Sequence, residues 1–427
     1  MEYFWIEGGH RLSGSVRPMG NKNAALPLLA ASLLTDAPLH LENVPNIGDV
    51  HTKIELLRRM GVEVDLSGDG HCTITAEDVG DRQPDIVLSS QIRTAPLLAG
   101  ALLARRGQVT IGRPGGDRIG RRRLDTHFLA LQTLGAEVEV FADRFCLRAE
   151  RLRGSEIFLD EMSVTGTEQA VLAAVLADGV TTISNAASEP HVQDVCHCLN
   201  AMGAQIGGIG TNCLTIEGVK EMSGATYAIG PDYMEVGSLI GLAAATGSGL
   251  RIVGARPKEH RMTRIVFGRL GVEWHDEGED IVVPAAQELK VRTDFDGAIP
   301  KIDDMPWPGF PPDLISIALV VATQSQGSVL IHQKMFDRRL VFVDRLIEMG
   351  ASIVLCDPHR AVVIGPASLH GEPLMSPDIR AGMALVIAAL AAEGVSTIRN
   401  ITQIDRGYEQ LEERLQALGG RIERRSE

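Results

Sequence analysis

A chain of 427 residues with 44% hydrophobic content can bury at least two full cores, so two large domains are expected. A formal net charge of −14 argues against a nucleic-acid partner and makes any basic cluster a local device for a small anion. The start, Met1-Glu2-Tyr3-Phe4-Trp5-Ile6-Glu7, has no basic n-region, and the longest apolar run, Ala381 to Ala392, is too short to span a bilayer, which predicts a soluble cytoplasmic protein without a membrane partner.

In chain order, the first predicted element is a hairpin, Ile6-Glu7-Gly8…Leu12-Ser13-Gly14. Next, Gly20-Asn21-Lys22-Asn23-Ala24-Ala25-Leu26 opens a long apolar helix and sets a cation and an amide at its N-terminus, where free N–H groups and the helix dipole favour an anion. The following helix ends at Leu57…Met60-Gly61-Val62, an apolar residue, three positions, then Gly and the start of a strand. That signature returns at Gly135, Gly203, Gly271, Gly350 and Gly419, with spacings of 74, 68, 68, 79 and 69 residues. Each glycine is predicted to close a helix in the left-handed conformation, which gives six repeats.

Within the repeats, alanine-rich helices precede β-branched strands: Leu97–Leu103 before Gln108-Val109-Thr110-Ile111, Ala170–Leu176 before Val180-Thr181-Thr182-Ile183, and Met383–Ala391 before Val395-Ser396-Thr397-Ile398. Helices apolar nearly all round belong inside a domain. Closing hairpins are predicted at Leu147…Gly154, Ile216…Gly224 and Ile364…Gly371. The sixth repeat lacks one, and the N-terminal hairpin matches Ile216…Gly224 nearly residue for residue, so it is expected to complete that repeat. Two α/β domains of three helix-strand-helix-strand repeats follow, one spanning 21–229 and one built from 1–20 plus 230–427.

Residues capable of chemistry collect at the helix openings: Lys22-Asn23, Arg93-Thr94, Thr165-Gly166-Thr167, Asp232, Asp313 and Asp378-Ile379-Arg380. Parallel repeats would point these openings one way, and two such domains facing each other would enclose an electropositive cleft. Two clusters add to them. Arg113-Pro114-Gly115-Gly116-Asp117-Arg118-Ile119-Gly120-Arg121-Arg122-Arg123 is too rich in glycine and charge for a helix or strand and reads as a mobile anion-binding lid over 113–123, with Asp117 placed to shuttle a proton. In Ile404-Asp405-Arg406-Gly407-Tyr408-Glu409, Arg406 is expected to open the last helix. The cysteines Cys72, Cys146, Cys196, Cys198, Cys213 and Cys356 have no metal-ligand spacing and read as reduced, mostly buried thiols.

These motifs, with Phe310-Pro311…Asp313 and Pro114-Gly115-Gly116…Ile119-Gly120…Arg122…Asp125, resemble the enolpyruvyltransferase family along the whole chain, nearest to its nucleotide-sugar branch. The resemblance implies two inverse α/β barrels with the active site in the interdomain cleft. It implies transfer of the enolpyruvyl group of phosphoenolpyruvate to the 3-hydroxyl of UDP-N-acetylglucosamine, with no metal, organic cofactor or obligate protein partner. Carried over residue by residue, it places phosphoenolpyruvate on Lys22, Arg122, Arg380 and Arg406. The UDP-sugar falls on Asn23, Arg93, Asp125, Ser163, Val164, Asp313 and Arg339. Asp313 is implied as the base towards the sugar hydroxyl, Asp117 as the acid towards the methylene carbon, and Lys22 as the cation that neutralises departing phosphate.

The chain departs from the family's usual pattern at four places. Asp117 stands where many members carry a cysteine, which implies insensitivity to fosfomycin, the epoxide that alkylates that thiol. Arg123 replaces a proline, Glu161 a lysine that approaches the nucleotide, and His191 an acid. The last two leave a different nucleotide or nucleotide-sugar acceptor, or a non-catalytic nucleotide-sugar-binding paralogue, as the alternative expectations.

Overall fold

A computed structural model describes residues 2–117 and 119–426. Arg118, one of the five arginines of the glycine-rich loop, lies outside them. The six repeat glycines all sit in the left-handed region, with φ of 89° at Gly61, 100° at Gly135, 101° at Gly203, 85° at Gly271, 100° at Gly350 and 92° at Gly419. At the first, Val62 N–H donates to Leu57 O at 3.1 Å and Gly61 N–H to Arg58 O at 2.9 Å, which satisfies two carbonyls the helix end would leave open. The same pair of bonds closes the other five helices, down to Gly420 N–H on Leu415 O at 2.9 Å.

The described residues divide into two compact units, one of 20–117 with 122–230, the other of 2–19, 119–121 and 231–426. In the first, the central helices are Lys22–Ala31, Leu97–Arg106 and Val164–Ala174; in the second, Tyr233–Ala245, Ile315–Thr323 and Ile379–Ala391. Tyr233–Ala245 and Ile315–Thr323 are buried at every position, as helices apolar nearly all round require. Glycine lets them approach: a Cβ on Gly237 would lie 2.6 Å from Leu314 Cδ1 and one on Gly241 2.3 Å from Ile317 Cγ2.

Three sheets wrap the helices of each unit, and the pairing corrects the expected hairpins. In the sheet ordered Gln205–Gly207, Cys213–Glu217, Val180–Ser184, Glu156–Phe158, the first three strands belong to one repeat and the fourth, parallel to its neighbour, comes from the repeat before. The hairpin expected over Leu147…Gly154 is therefore absent, since the strands on either side of it, Arg144–Arg148 and Glu156–Phe158, sit in different sheets. The last crossing strand of the first unit, Ala225–Ala228, returns to pair in parallel with Leu39–Glu42 of its first repeat and closes the cycle. Only Gln108–Gly112, Arg144–Arg148 and Glu137–Val140 form a three-stranded sheet among the described residues; the short helix Ile86–Ser89 precedes them where a crossing strand would be.

The N-terminal segment is likewise no hairpin. Glu2–Glu7 inserts between Val395–Arg399 and Arg421–Ser426, antiparallel to both, while Ser13–Val16 pairs in parallel with Gly249–Ile252. One strand completes the sixth repeat, and the next links it to the fourth. A short glycine turn between two strand-like segments is compatible with a hairpin and with a crossing. Closure of the three-repeat cycle selects the crossing, because it covers the otherwise bare edge of each neighbouring sheet.

No helix among the described residues is long and apolar enough to cross a membrane. All six cysteines are free; Cys72, Cys196 and Cys198 are buried, while Cys213 and Cys356 are exposed.

Candidate functional site

In the first unit, Lys22 is the first residue of its helix, whose N-cap Asn21 accepts the Asn23 N–H on its side-chain oxygen at 2.8 Å. A cation there opposes the helix dipole. Asp49, in the first turn of Gly48–Arg59, offsets this with a carboxylate oxygen 2.7 Å from the ammonium, and both side chains are nearly buried. Asp49 was not singled out from the sequence, where it looks like an ordinary first-turn acid.

Ser163 caps Val164–Ala174 by accepting the Gly166 N–H at 3.1 Å, so the helix opens at Ser163 and Val164, slightly before the Thr165-Gly166-Thr167 read from the sequence. Arg93 lies just before Leu97–Arg106 and donates to the Arg122 and Arg123 carbonyls at 3.1 and 2.9 Å. Burial and then the like charge of Arg122 bring the Arg93 guanidinium down to about 10, with Glu161 opposing. Asp125 begins Asp125–Thr133 and accepts from Arg123 at 3.1 Å.

The loop from Arg113 has no helix or strand through Asp117, which is partly exposed. It is less uniformly available to an anion than its composition suggests. Arg113 donates to the carbonyls of Ala142 and Phe141 at 2.6 and 2.9 Å, and Arg123 pairs with Asp125 and Asp160, so these two serve the fold. Gly115 is pinned, since a Cβ there would lie 1.8 Å from Ser90 O.

His127, on the Asp125–Thr133 helix, meets Thr165 Oγ1 through Nε2 at 2.9 Å. Burial, then the charges of Arg93 and Arg122, push its imidazole down to about 3. A free histidine titrates near 6.5, so below about pH 6.5 the unfolded chain takes up a proton that the folded chain refuses, and this contribution to stability is lost as pH falls towards 3. Urea unfolding of wild type and His127→Asn should show the gap between them narrowing by about 2 kcal/mol from pH 6.5 to 5.0. A constant gap would mean that the folded histidine is protonated normally.

In the second unit, Asp313 lies in the turn Pro312–Leu314 that leads into Ile315–Thr323. Its two oxygens are held by Arg339 Nη2 and, at 3.0 Å, by Arg380 Nε. Asp378 caps Ile379–Ala391 by accepting the N–H groups of Arg380 and Ala381 at 2.8 and 3.0 Å and also pairs with Arg339. Arg380 is 4% exposed and donates to the Tyr408 hydroxyl at 3.2 Å, which meets Ser238 Oγ at 3.0 Å. Burial works against the Arg380 charge, but Tyr408, Asp313 and Asp232 outweigh it and keep the group cationic. The structure thus joins Asp313 and Arg339, expected at the UDP-sugar, with Arg380, expected at phosphoenolpyruvate, and adds Tyr408 and Ser238.

Arg406 corrects an expectation. It caps the C-terminal end of the short helix Thr402–Asp405, with Nη1 on Gln403 Oε1 at 2.9 Å, and the last helix, Leu411–Ala417, begins later.

Residues 6–415 match the family described as EPSP synthase (3-phosphoshikimate 1-carboxyvinyltransferase). Among curated proteins, the chain is 56% identical to the UDP-N-acetylglucosamine 1-carboxyvinyltransferase of Bradyrhizobium diazoefficiens, covering 98% of this chain and 97% of that one. It is 54% identical to the protein of the same name from Treponema denticola, covering 99% of each. Among solved structures, the enolpyruvyl transferase NikO from Streptomyces tendae superposes with a TM-score of 0.88 at 24% identity over 100% of this chain and 99% of that one. EPSP synthase from Acinetobacter baumannii superposes at 0.73 with 17% identity over the full length of both. The two solved structures support the two-domain α/β fold.

Proposed function

The chain belongs to the EPSP synthase family, and from that membership we propose how its own residues carry out the reaction. It is an enolpyruvyl transferase that moves the carboxyvinyl group of phosphoenolpyruvate to the 3-hydroxyl of UDP-N-acetylglucosamine and releases phosphate, the first committed step of peptidoglycan precursor synthesis. We place it in the cytoplasm, with no metal, organic cofactor or protein partner required.

The observation that best supports the residue assignment is Asp313 held between Arg339 and Arg380. In the proposed addition, the sugar oxygen bonds to C2 of phosphoenolpyruvate while its proton passes to Asp313 and the methylene carbon takes a proton from Asp117. In the elimination, the C2–O bond to phosphate breaks, the methyl group returns its proton to Asp117 to restore the double bond, and the proton held on Asp313 leaves with the phosphate. Lys22, Arg122, Arg380 and Arg406 bind the carboxylate and phosphate; guanidinium forks match both groups, and the cations gain strength as charge gathers on the leaving phosphate. Asn23, Arg93, Asp125, Ser163, Val164 and Arg339 hold the UDP-sugar.

A changed acceptor is the second reading, favoured by Glu161, whose negative charge acts on Arg93. Phosphate release from phosphoenolpyruvate with a panel of uridine nucleotides decides between them. Release with UDP-N-acetylglucosamine is expected; release only with another nucleotide would establish the second reading, and none with any would leave a binding protein.

A further inference from the structure

Gly48–Arg59 carries two charged side chains one turn apart on one face, and both point inward. Asp49 meets Lys22, while Lys53 is 0% exposed and donates from Nζ to the Thr94 carbonyl at 2.8 Å. On the helix Val164–Ala174, Glu168 is 1% exposed with Oε1 lacking a hydrogen-bond partner, and its charge attracts the Lys53 ammonium. The Thr94 hydroxyl is also buried without a partner. Burial brings the Lys53 ammonium down to about 7 against the attraction of Glu168, and burial with the charge of Glu189 pushes the Glu168 carboxyl up.

Two ionisable groups taken out of water cost several kcal/mol each, and well-packed apolar replacements for such pairs are often neutral or stabilising. Stability alone is therefore a poor account of them. Their connections are more informative. The carbonyl that Lys53 holds belongs to the residue after Arg93, and the Arg93 guanidinium holds the Arg122 and Arg123 carbonyls. Glu168 lies on the helix that Ser163 caps.

We propose that Lys53 is a positioning residue for acceptor binding: fully buried, its ammonium fixes the Thr94 carbonyl and thereby the direction in which Arg93 presents its guanidinium. Lys53 touches no substrate; it acts through the 93–94 segment. This rests on the acceptor site proposed above.

The test is Lys53→Met, which keeps length and removes the charge, with UDP-N-acetylglucosamine binding measured by calorimetry and turnover at saturating substrates measured separately. Kd is expected to weaken by about tenfold or more while kcat stays within about threefold. A Kd within about twofold of wild type, or a kcat that falls as far as Kd weakens, overturns the proposal. Should Lys53→Met not fold, Lys53→Met/Glu168→Leu is read by the same criteria, and failure of both to fold assigns the pair to stability and overturns the proposal as well. Wild type that releases no phosphate with UDP-N-acetylglucosamine would sink the functional reading, whereas active wild type with unaltered Lys53→Met binding would sink this inference alone.

Discussion

Lys22→Ala is expected to lower kcat/KM by about 10³-fold, or about 4 kcal/mol of transition-state stabilisation, because it removes a nearly buried cation assigned to the departing phosphate. The same change takes from Asp49 the ammonium 2.7 Å away, and stripping a buried carboxylate of its cation costs about 3 kcal/mol of stability. Loss of activity could then reflect damage to the fold. Lys22→Ala/Asp49→Asn separates the two effects, since the neutral amide no longer needs a cation. The double variant should regain most of the melting temperature and none of the turnover. Recovery of activity along with stability would show that Lys22 serves only to neutralise Asp49, and the phosphoenolpyruvate assignment would fall with it.

The second large effect concerns Asp117. A carboxylate opens an epoxide far more slowly than a thiolate does, so fosfomycin should leave the wild-type enzyme active after prolonged incubation. Asp117→Cys should keep turnover, because a thiol can also donate a proton, and should acquire time-dependent, irreversible inactivation. Asp117 is partly exposed in a loop without regular structure, so reagent and solvent reach it. Addition of UDP-sugar is expected to accelerate inactivation if the loop closes over the site. Inactivation of wild type, or an active Cys variant that stays resistant, would remove Asp117 from the acid's position and shift the assignment of the whole 113–123 loop.

Local chemistry was legible in the sequence. The six C′ glycines, the helix openings near Lys22, Asp232 and Asp378, and the largely apolar central helices depend on neighbours within a few residues, and the structure shows each where spacing and residue type predict it. The family could be named because its motifs are contiguous. Tertiary structure decided what depends on distant partners. Glu2–Glu7 and Ser13–Val16 enter different sheets because closing a cycle of three repeats requires a crossing strand, which no local turn signal announces. Asp313 meets Arg339 and Arg380 across 26 and 67 residues of chain, and a lone arginine in a sequence does not say which acid it will face. Nothing in the sequence singles out Lys53. It is buried with its ammonium on the Thr94 carbonyl and under the attraction of Glu168, and only that tertiary setting turns a bland lysine into a candidate for holding the acceptor site in place.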